Sequence, residues 1–506
     1  MENKILIGKG DRQVHLLAKM ANRHGLIAGA TGTGKTVSLK LLAEGFSNLG
    51  VPVFITDIKG DISGIAKEVT PNDKLMERAK IIGMENYLPK AFPTDFFDVF
   101  QKKGHPLRTS ISDLGPEFIA RLLDLSKIQT SVLQVAFQIA DDSQLKIINL
   151  KDLKALINFL NLNKKKYEVE YGKMSSQSLN AITRSITVLE QVKADLFFSE
   201  PEFEINDFMQ NSSQGKISIL ECQELFQSPL LYSTIILWLL SELYESLDEI
   251  GDLEKPRLVF FFDEAHILFK DGSKVLTDKI EQLIKLIRSK GVAIFFCTQN
   301  PYDIPDAVLA QLSNRIQHSL RCYSTSEIKK VKSVAQSFRP NPSFSTFEAI
   351  TSLKTGEALV SVLDEEGVPS IVEKCLICPT QSSFDKLEED KKNNIINNSM
   401  LKYKYNKTED SYSAYEMINE ILEEIQSDES SNSKRNNKTS ATEKMISRTT
   451  TNTINTFARE SIKDMLRPSS RSRKSPMEKA GNTLINSITR EVSKGITRGI
   501  FGIFKK

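Results

Sequence analysis

The stretch "GATGTGKT", from Gly29 to Thr36, decides the fold. It fits the pattern Gly, any four residues, Gly-Lys-Thr, in which backbone N–H groups cradle the phosphates of a nucleotide. Its glycines can adopt backbone angles closed to other residues, so successive N–H groups can converge on phosphate oxygens. We expect Lys35 to reach the β- and γ-phosphates and the Thr36 hydroxyl to ligate Mg²⁺. The residues predicted to bind ATP are Gly29, Ala30, Thr31, Gly32, Thr33, Gly34, Lys35, Thr36 and Val37.

The sequence on both sides of this loop supports the same interpretation. "HGLIA" before it is a short apolar run typical of a buried strand, and "TVSLKLLAEGF" after it has the apolar spacing of a helix. That helix would direct its positive end at the phosphates. "VPVFITD", ending at Asp57, predicts a second buried strand. Alternating strands and helices predict an α/β fold with a mainly parallel sheet.

Further changes of pattern divide the 506 residues into segments. Strand signals return in "KISIL", "RLVFFFD", "VAIFFCTQ", "RIQHSLR", "EALVSVL" and "SIVEKCLI". The predicted segments are two parts of an α/β core (1–70 and 215–380), a mostly helical insertion (71–214), a helical extension (381–425), a flexible basic linker (426–480) and a basic amphipathic helix (481–506).

Charge is segregated along the chain. The net charge is +3, but residues 430–506 hold 17 Lys or Arg against 5 Asp or Glu, a net of +12, which leaves −9 for the preceding 429 residues. In the last segment, apolar residues recur every four positions from Leu484 to Phe504, with basic residues on the other side. Such a helix could dock on the folded part of its own chain, bind an anionic membrane surface or bind another protein.

Cysteine content and hydropathy bear on the compartment. Five cysteines are few and odd in number, which indicates a reducing environment rather than a disulfide framework. The most apolar stretch, "LLYSTIILWLL", is too short for a bilayer and predicts a buried helix. We expect a cytoplasmic protein, with peripheral membrane association if the basic helix binds lipid.

Two acidic residues follow predicted strands and are candidates for the magnesium-binding carboxylate. Asp57 ends "VPVFITD", and Asp263 lies in "LVFFFDEAH", where the apolar run is longer and Glu264 follows at once. We expect Asp263 to hold the hydration shell of Mg²⁺ and Glu264 to accept a proton from the attacking water. In the alternative interpretation, both carboxylates merely stabilise the start of the next helix.

Three more polar residues complete the predicted site. Gln299 follows the strand "VAIFFCT", where its amide could sense the γ-phosphate. Arg288, at the end of the helix "TDKIEQLIKLIRSKG", and Arg315 are candidates for an arginine finger that reaches a neighbouring subunit's nucleotide. Each is equally interpretable as an ordinary cation at a helix end or surface.

Several of these motifs, in order, resemble the bacterial HerA-like ATPases, a branch of the HerA–FtsK superfamily. They are "HGLIAGATGTGKT", "DIKGDISG", "FFFDEAHILF", "LIRSKGVAIFFCTQNPYDIPDAVLAQLSNRIQHSLR" and "SAYE". The resemblance runs from about Asn3 to Ile425. It implies a RecA-like P-loop NTPase core, assembly into a hexameric ring and a nucleotide held between subunits.

The resemblance also implies roles for individual residues. Asp263 and Glu264 would serve hydrolysis, Gln299 would sense the phosphate, and Arg288 would be the finger in trans. Asp57 matches an acidic residue that supports the same site in relatives.

Three functions follow as hypotheses of different classes. The first is a ring ATPase that translocates DNA through sequence-independent phosphate contacts. The second is an ATPase that moves protein or assembles at a membrane, anchored by its basic helix. The third is a nucleotide-gated binding module with negligible turnover.

Overall fold

The computed structural model describes residues 3–209, 213–251, 253–270 and 274–423. The predicted linker (426–480) and basic amphipathic helix (481–506) lie outside the described residues. The chain forms two compact units. Of the described residues, the first comprises those up to Arg108 and those of Pro201–Lys407, and the second comprises Thr109–Glu200 and 408–423.

The first unit is built on one sheet, in which the described residues form twelve strands. In chain order these are β1 Lys4–Lys9, β2 Gln13–Leu17, β3 Gly25–Ala28, β4 Val53–Asp57, β5 Thr94–Asp98, β6 His105–Pro106, β7 Ile217–Glu221, β8 Leu258–Phe262, β9 Val292–Thr298, β10 Asn314–Gln317, β11 Glu357–Ser361 and β12 Glu373–Ile377. Their order across the sheet is β2-β1-β12-β11-β10-β3-β9-β8-β4-β7-β5-β6. Pairing is parallel from β10 to β6 and antiparallel from β2 to β10. The mainly parallel sheet is therefore confirmed.

The helices are named in chain order across both units. They are α1 Lys35–Asn48, α2 Asp73–Ile82, α3 Ile111–Leu122, α4 Lys127–Asp142, α5 Leu150–Tyr171, α6 Ser176–Gln191, α7 Pro229–Ser246, α8 Ile267–Lys270, α9 Lys274–Ile287, α10 Asp306–Leu309, α11 Thr325–Gln336, α12 Thr346–Ser352, α13 Glu389–Asn398 and α14 Leu401–Tyr405. A further helical segment spans 414–423.

The central strands consist mostly of apolar residues because both faces of a parallel sheet are covered, and their polar residues stand at the carboxyl ends. Every residue of β3, β4, β8 and β9 is buried. Helix α1 packs on one face through Phe46, whose ring lies 6.3 Å from that of Phe261 and 5.9 Å from that of Phe295. The helix that follows the phosphate loop is thus fixed on the strands that carry the predicted acidic and sensor residues.

The sheet is wider than the sequence patterns predict. Strands β1 and β2 form an antiparallel hairpin whose first strand pairs with β12. Strands β5 and β6 lie within the segment predicted as a helical insertion (71–214) and extend the parallel edge beyond β7. The second compact unit begins at Thr109 and its first segment ends at Glu200, so its bounds are narrower than that predicted segment.

The second unit contains α3 to α6. Helices α4 and α5 begin at capping boxes in which Ser126 pairs with Gln129 and Asn149 with Asp152. The buried Asp152 carboxylate also accepts a hydrogen bond from the N–H of Tyr415, at 3.0 Å. This carboxylate connects the start of α5 to the segment that follows Thr408.

Helix α7 is apolar on all sides. It contains "LLYSTIILWLL" and buries twelve of its residues, in agreement with the predicted buried helix. Within the described ranges, no helix is both long enough and apolar enough to cross a bilayer.

Candidate nucleotide-binding site

The phosphate loop connects β3 to α1 with three glycines in conformations that favour glycine. The backbone φ angles are 153° at Gly29, 76° at Gly32 and 118° at Gly34. A Cβ atom on Gly29 would lie 2.5 Å from Cβ of His318, whereas one on Gly32 would meet no atom within 4 Å. The reason for glycine therefore differs between two of these positions. At Gly29 it is the close approach of His318, and at Gly32 it is the left-handed backbone.

Lys35 and Thr36, which are predicted to hold phosphate and magnesium, both make hydrogen bonds within the site. Lys35 is 6% exposed and its Nζ donates to the carbonyl oxygen of Ala30 at 3.1 Å. The Thr36 hydroxyl donates to Oδ2 of Asp61 at 3.4 Å. The ammonium is thus held within the concave loop, and the hydroxyl points toward the acidic residues.

Sheet topology brings the remaining predicted residues to the same edge. Strands β3, β9, β8 and β4 are neighbours and parallel, so their carboxyl ends lie together. Gln299 follows β9, Asp263 and Glu264 follow β8, and Asp57 ends β4. The sensor strand β9 lies beside the acidic strand β8 and also beside the loop strand β3, so the predicted residues meet at one edge.

Three carboxylates form a cluster at this edge. Oxygen atoms of Asp57, Asp61 and Asp263 all lie within 4.8 Å of one another. Asp57 uses its two oxygens to accept the N–H groups of Gly60 at 2.6 Å and Ile62 at 3.0 Å. Oδ1 of Asp61 is buried and has no hydrogen-bond partner. Asp61 and Asp263 are therefore better placed to ligate a cation than Asp57, which shapes the loop after β4.

Burial makes protons hard to remove from two of these carboxyls. Burial, and next the neighbouring Glu221, raise the pKa of Asp57 to about 7. Burial, and next the adjacent Glu264, raise the pKa of Asp263 to about 6. Such a cluster gains most from a divalent cation, which would neutralise its mutual repulsion.

The two carboxylate oxygens of Glu264 differ in their hydrogen bonding. Its Oε1 accepts hydrogen bonds from Lys59 Nζ and from Gln299 Nε2, the latter at 2.9 Å. Its Oε2 is buried without a hydrogen-bond partner, 3.4 Å from Nδ1 of His266. Burial alone would raise the pKa of Glu264, but the bonds from Lys59 and Gln299 outweigh it and hold the pKa below its ordinary value. The carboxylate is ionised and presents Oε2 as a proton acceptor.

The backbone at Glu264 is strained. Its φ is 47°, in the left-handed region that residues other than glycine rarely adopt. Asp263 is fixed just before it, because its N–H donates to Oγ1 of Thr56 at 3.1 Å. Strain of this kind persists where the surroundings determine the conformation, and it is frequent at functional sites.

Gln299 connects the loop to the acidic strand. Its Oε1 accepts a hydrogen bond from the Thr31 hydroxyl at 3.1 Å, while its Nε2 donates to Glu264. One amide therefore contacts both the phosphate loop and the candidate base. The predicted role of Gln299 as a sensor of the terminal phosphate stays a prediction, for which these two contacts are the structural basis.

With this geometry in view, comparison with known proteins identifies the family. A model of the helicase HerA-like C-terminal family matches residues 2–506. The chain belongs to this family. Membership confirms the family resemblance that the motifs carried.

Curated relatives of this HerA-like chain share modest identity with it. The DNA double-strand break repair helicase HerA of Sulfurisphaera tokodaii is 25% identical over 378 residues, which are 71% of this chain and 67% of the relative. The protein of the same name from Sulfolobus acidocaldarius is 20% identical over 357 residues, 69% of this chain and 64% of the relative. The chain thus spans about two thirds of the length of these relatives.

Solved structures confirm the fold class. The unbound bacterial conjugative coupling protein TrwBdeltaN70 matches with a TM-score of 0.51 at 14% identity, covering 77% of this chain and 92% of that one. The HerA-like chain therefore has the predicted α/β, RecA-like P-loop NTPase core with a mainly parallel sheet.

Arg288 lies at the other edge of the HerA-like sheet. It begins a short 3-10 helix, Arg288–Lys290, just before β9, and is close enough to His24, just before β3, to affect that residue's titration. Because β3 and β9 are parallel, this is the amino-terminal edge, opposite the candidate site. Any contact of Arg288 with a nucleotide must therefore be made in trans.

Arg315 is occupied by its own chain. Its guanidinium donates to the carbonyls of Leu312 at 3.2 Å and Leu309 at 3.3 Å and to the Ser337 hydroxyl at 2.5 Å. It lies inside β10 rather than at the carboxyl edge of the sheet. These contacts hold α10 and α11 on β10, and a role as finger would require all three to break.

Sequence reasoning did not assign two residues that the structure brings into the site. Lys59 pairs with Glu264, and Asp61 joins the carboxylate cluster. Both lie in "DIKGDISG", which begins at Asp57. The signal was present as charged residues beside a glycine directly after a buried strand, where loops at a sheet edge carry binding groups.

Proposed function

We propose that this HerA-like chain is a Mg²⁺-dependent ATPase motor that moves along DNA. The observation that carries the proposal is the convergence of Lys35, Asp263 and Glu264 on one sheet edge, where the buried Oε2 of Glu264 has no hydrogen-bond partner. A loop that only binds nucleotide has no need for an adjacent carboxylate that is ionised, has a strained backbone and leaves one oxygen without a hydrogen bond.

The residues present fit a magnesium ion. Oxygen is the ligand that Mg²⁺ prefers, and Thr36, Asp61 and Asp263 supply a hydroxyl and two carboxylates at one place. The buried and unpartnered Oδ1 of Asp61 is the independent sign that this cluster can take a cation. Bound Mg²⁺ would supply positive charge that neutralises the phosphates and orients them.

The chain's own groups account for the remaining chemistry. Lys35 leaves the carbonyl of Ala30 to pair with the phosphates. Glu264 accepts the proton of the attacking water at Oε2, while Lys59 and Gln299 keep its Oε1 in place. Gln299 also contacts Thr31 of the loop, so loss of the terminal phosphate changes both ends of its hydrogen-bond chain.

DNA is proposed as the track because the relatives are DNA repair helicases by name. We further propose that the working form is a hexameric ring, in which Arg288 of one subunit completes the site of the next. The DNA contacts would be to phosphates, so binding should be insensitive to sequence and weaken with salt.

The test is ATP hydrolysis by the full chain at low salt, with and without double-stranded DNA. We expect DNA to stimulate hydrolysis several-fold, and Glu264→Gln to lower turnover by at least about 100-fold while ATP still binds. Lack of stimulation by DNA would contradict the DNA role. Equal turnover in Glu264→Gln and wild type would instead favour a nucleotide-gated binding module.

A second candidate rests on the basic C-terminal sequence, in which apolar and basic residues alternate with helical spacing. In that case the ATPase drives protein transport or assembly as a cytoplasmic protein bound peripherally to a membrane. Deletion of residues 481–506 should then abolish sedimentation with anionic liposomes and leave basal hydrolysis intact. Unchanged sedimentation would remove this candidate.

A further inference from the structure

His318 lies directly beneath the phosphate loop. It follows β10 and is fully buried, and its backbone N–H donates to the carbonyl of Ala28, the last residue of β3, at 2.7 Å. Besides the close approach at Gly29, a Cβ atom on Gly34 would lie 3.2 Å from Cε1 of the imidazole. The His318 side chain therefore lies against both ends of the loop, with its Cβ beside Gly29 and its ring beside Gly34.

The hydrogen bonds of the ring determine which nitrogen carries the proton. Nδ1 lies 3.0 Å from the carbonyl oxygen of Glu357, which can only accept, so Nδ1 carries the hydrogen. Nε2 must then accept the hydrogen of the Ser38 hydroxyl, 2.8 Å away. Burial lowers the pKa of His318 to about 4, so this neutral tautomer is kept at physiological pH.

These contacts connect the loop to the antiparallel part of the sheet. Ser38 lies in the first turn of α1, and Glu357 begins β11. The neighbouring backbone adds two bonds, from Ala30 N–H to Ser319 O at 2.8 Å and from Gly356 N–H to Thr33 O at 3.2 Å. The loop is thus attached on its underside to β10 and β11.

We propose that His318 is a positioning residue for nucleotide binding. Its neutral imidazole sets the distance between the phosphate loop and the start of α1, so that the loop's N–H groups stay oriented toward the phosphates. The inference rests on the proposed nucleotide binding at this loop and deepens it. The hydrogen bonds of Glu264 and Asp263 go to residues outside the loop, and Gln299 bonds to the loop at Thr31 rather than at Ser38. The effect should therefore fall mainly on affinity rather than on the chemical step.

The test compares variants that change one hydrogen bond at a time. Ser38→Ala removes only the hydroxyl, and His318→Asn keeps a donor toward Glu357 but cannot reach Ser38. His318→Gln offers an amide oxygen to Ser38. We expect the first two to weaken ATP and ADP binding by about tenfold and raise KM, with kcat changed less than twofold, and His318→Gln to recover most of the loss.

His24→Asn is the matched control. His24 is equally buried and also makes two backbone hydrogen bonds, to Ile284 O at 2.8 Å and from Ile294 N–H at 3.1 Å, but at the opposite edge of the sheet. The His24→Asn variant should have a lower midpoint of thermal unfolding and an unchanged affinity for ATP and ADP.

Calorimetric titration with ATP and ADP, paired with a hydrolysis assay, separates the two proposals. If wild type hydrolyses ATP and both Ser38→Ala and His318→Asn bind it as tightly as wild type, His318 is only a packed core residue and the inference fails. If wild type binds but does not hydrolyse ATP, the proposed ATPase activity fails, and the same affinities still decide the role of His318. A wild type that binds neither nucleotide overturns both.

Discussion

The ammonium of Lys59 contacts Oε1 of Glu264, a residue 205 positions later in the chain. The two groups come from the ends of adjacent parallel strands, β4 and β8. Lys59 is about 38% exposed at its side chain whereas Glu264 is 5% exposed, so the pair joins a solvent-accessible cation to a buried carboxylate. Lys59 therefore keeps the candidate base ionised and occupies its Oε1, which leaves Oε2 without a hydrogen-bond partner.

Substitution of Lys59 should affect turnover more than binding. We expect Lys59→Met to lower kcat for ATP hydrolysis by roughly tenfold or more, because Glu264 loses a charged partner, and to leave KM within about twofold. Lys59→Arg keeps the charge and should retain most of the activity. Steady-state kinetics check this, and an equal loss in both variants would show that the positive charge is not what matters.

The unpartnered oxygen of Asp61 predicts a dependence on magnesium. Asp61→Asn should raise the Mg²⁺ concentration needed for half-maximal ATP hydrolysis by about tenfold, because a carboxylate ligand is replaced by a neutral amide. Asp11→Asn, at an exposed position in the turn between β1 and β2, is the matched control and should behave as wild type. A Mg²⁺ titration of activity measures both, and coincident curves for Asp61→Asn and wild type would contradict the assignment.

Alanine substitutions at two glycines of the loop should lower the free energy of unfolding by different amounts. At Gly32 an added Cβ meets no atom, so Gly32→Ala should destabilise the fold by only about 1–2 kcal/mol, the cost of a left-handed alanine. At Gly29 the Cβ would collide with His318, so Gly29→Ala should cost roughly 1–3 kcal/mol more. Denaturant unfolding of the two variants tests the difference, which should disappear if the loop simply moves aside.

Stability should depend on pH through His24. Burial, opposed by its bond to Ile284 and assisted by Arg288, lowers the pKa of His24 from 6.5 to about 4. The unfolded chain therefore binds more protons than the folded chain between these values, so the free energy of unfolding rises with pH across this window. The stabilisation is complete above pH 6.5 and is lost as the pH falls toward 4, amounting to roughly 3 kcal/mol.

The variant that tests this is His24→Asn. Asparagine has no titratable group, so it has no proton to gain in either the folded or the unfolded state. Unfolding measured between pH 4 and pH 7 should show a slope that is shallower by about one proton than in wild type. Identical slopes would assign the pH dependence to other groups.

The residues that could be predicted from the sequence are those that belong to a short local sequence pattern. The phosphate loop, Asp263 with Glu264, and Gln299 all follow apolar runs that must be buried strands, and parallel pairing then places them at one edge. The full strand order was not predicted, because apolar runs indicate that strands are buried but not which strands are neighbours.

The missed features depend on contacts between distant segments. Lys59 and Asp61 lie in a loop whose path is fixed by the bonds of the Asp57 carboxylate, and no periodicity reveals that path. His318 lies within the predicted strand "RIQHSLR" and was given no role there, so only the fold shows that it lies beneath the loop. Strand β5, "TDFFD", has too short an apolar run to be distinguished from a loop.

The position of Arg288 has a consequence for how copies of this chain can combine. If Arg288 serves the nucleotide of a neighbour, the amino-terminal edge of one sheet must face the carboxyl-terminal edge of the next. Such a head-to-tail contact joins two different surfaces, so every added copy leaves one of each exposed until the series closes on itself or grows into a filament. A complete catalytic centre would then exist at every junction except at an open end, and hydrolysis per chain would rise with protein concentration.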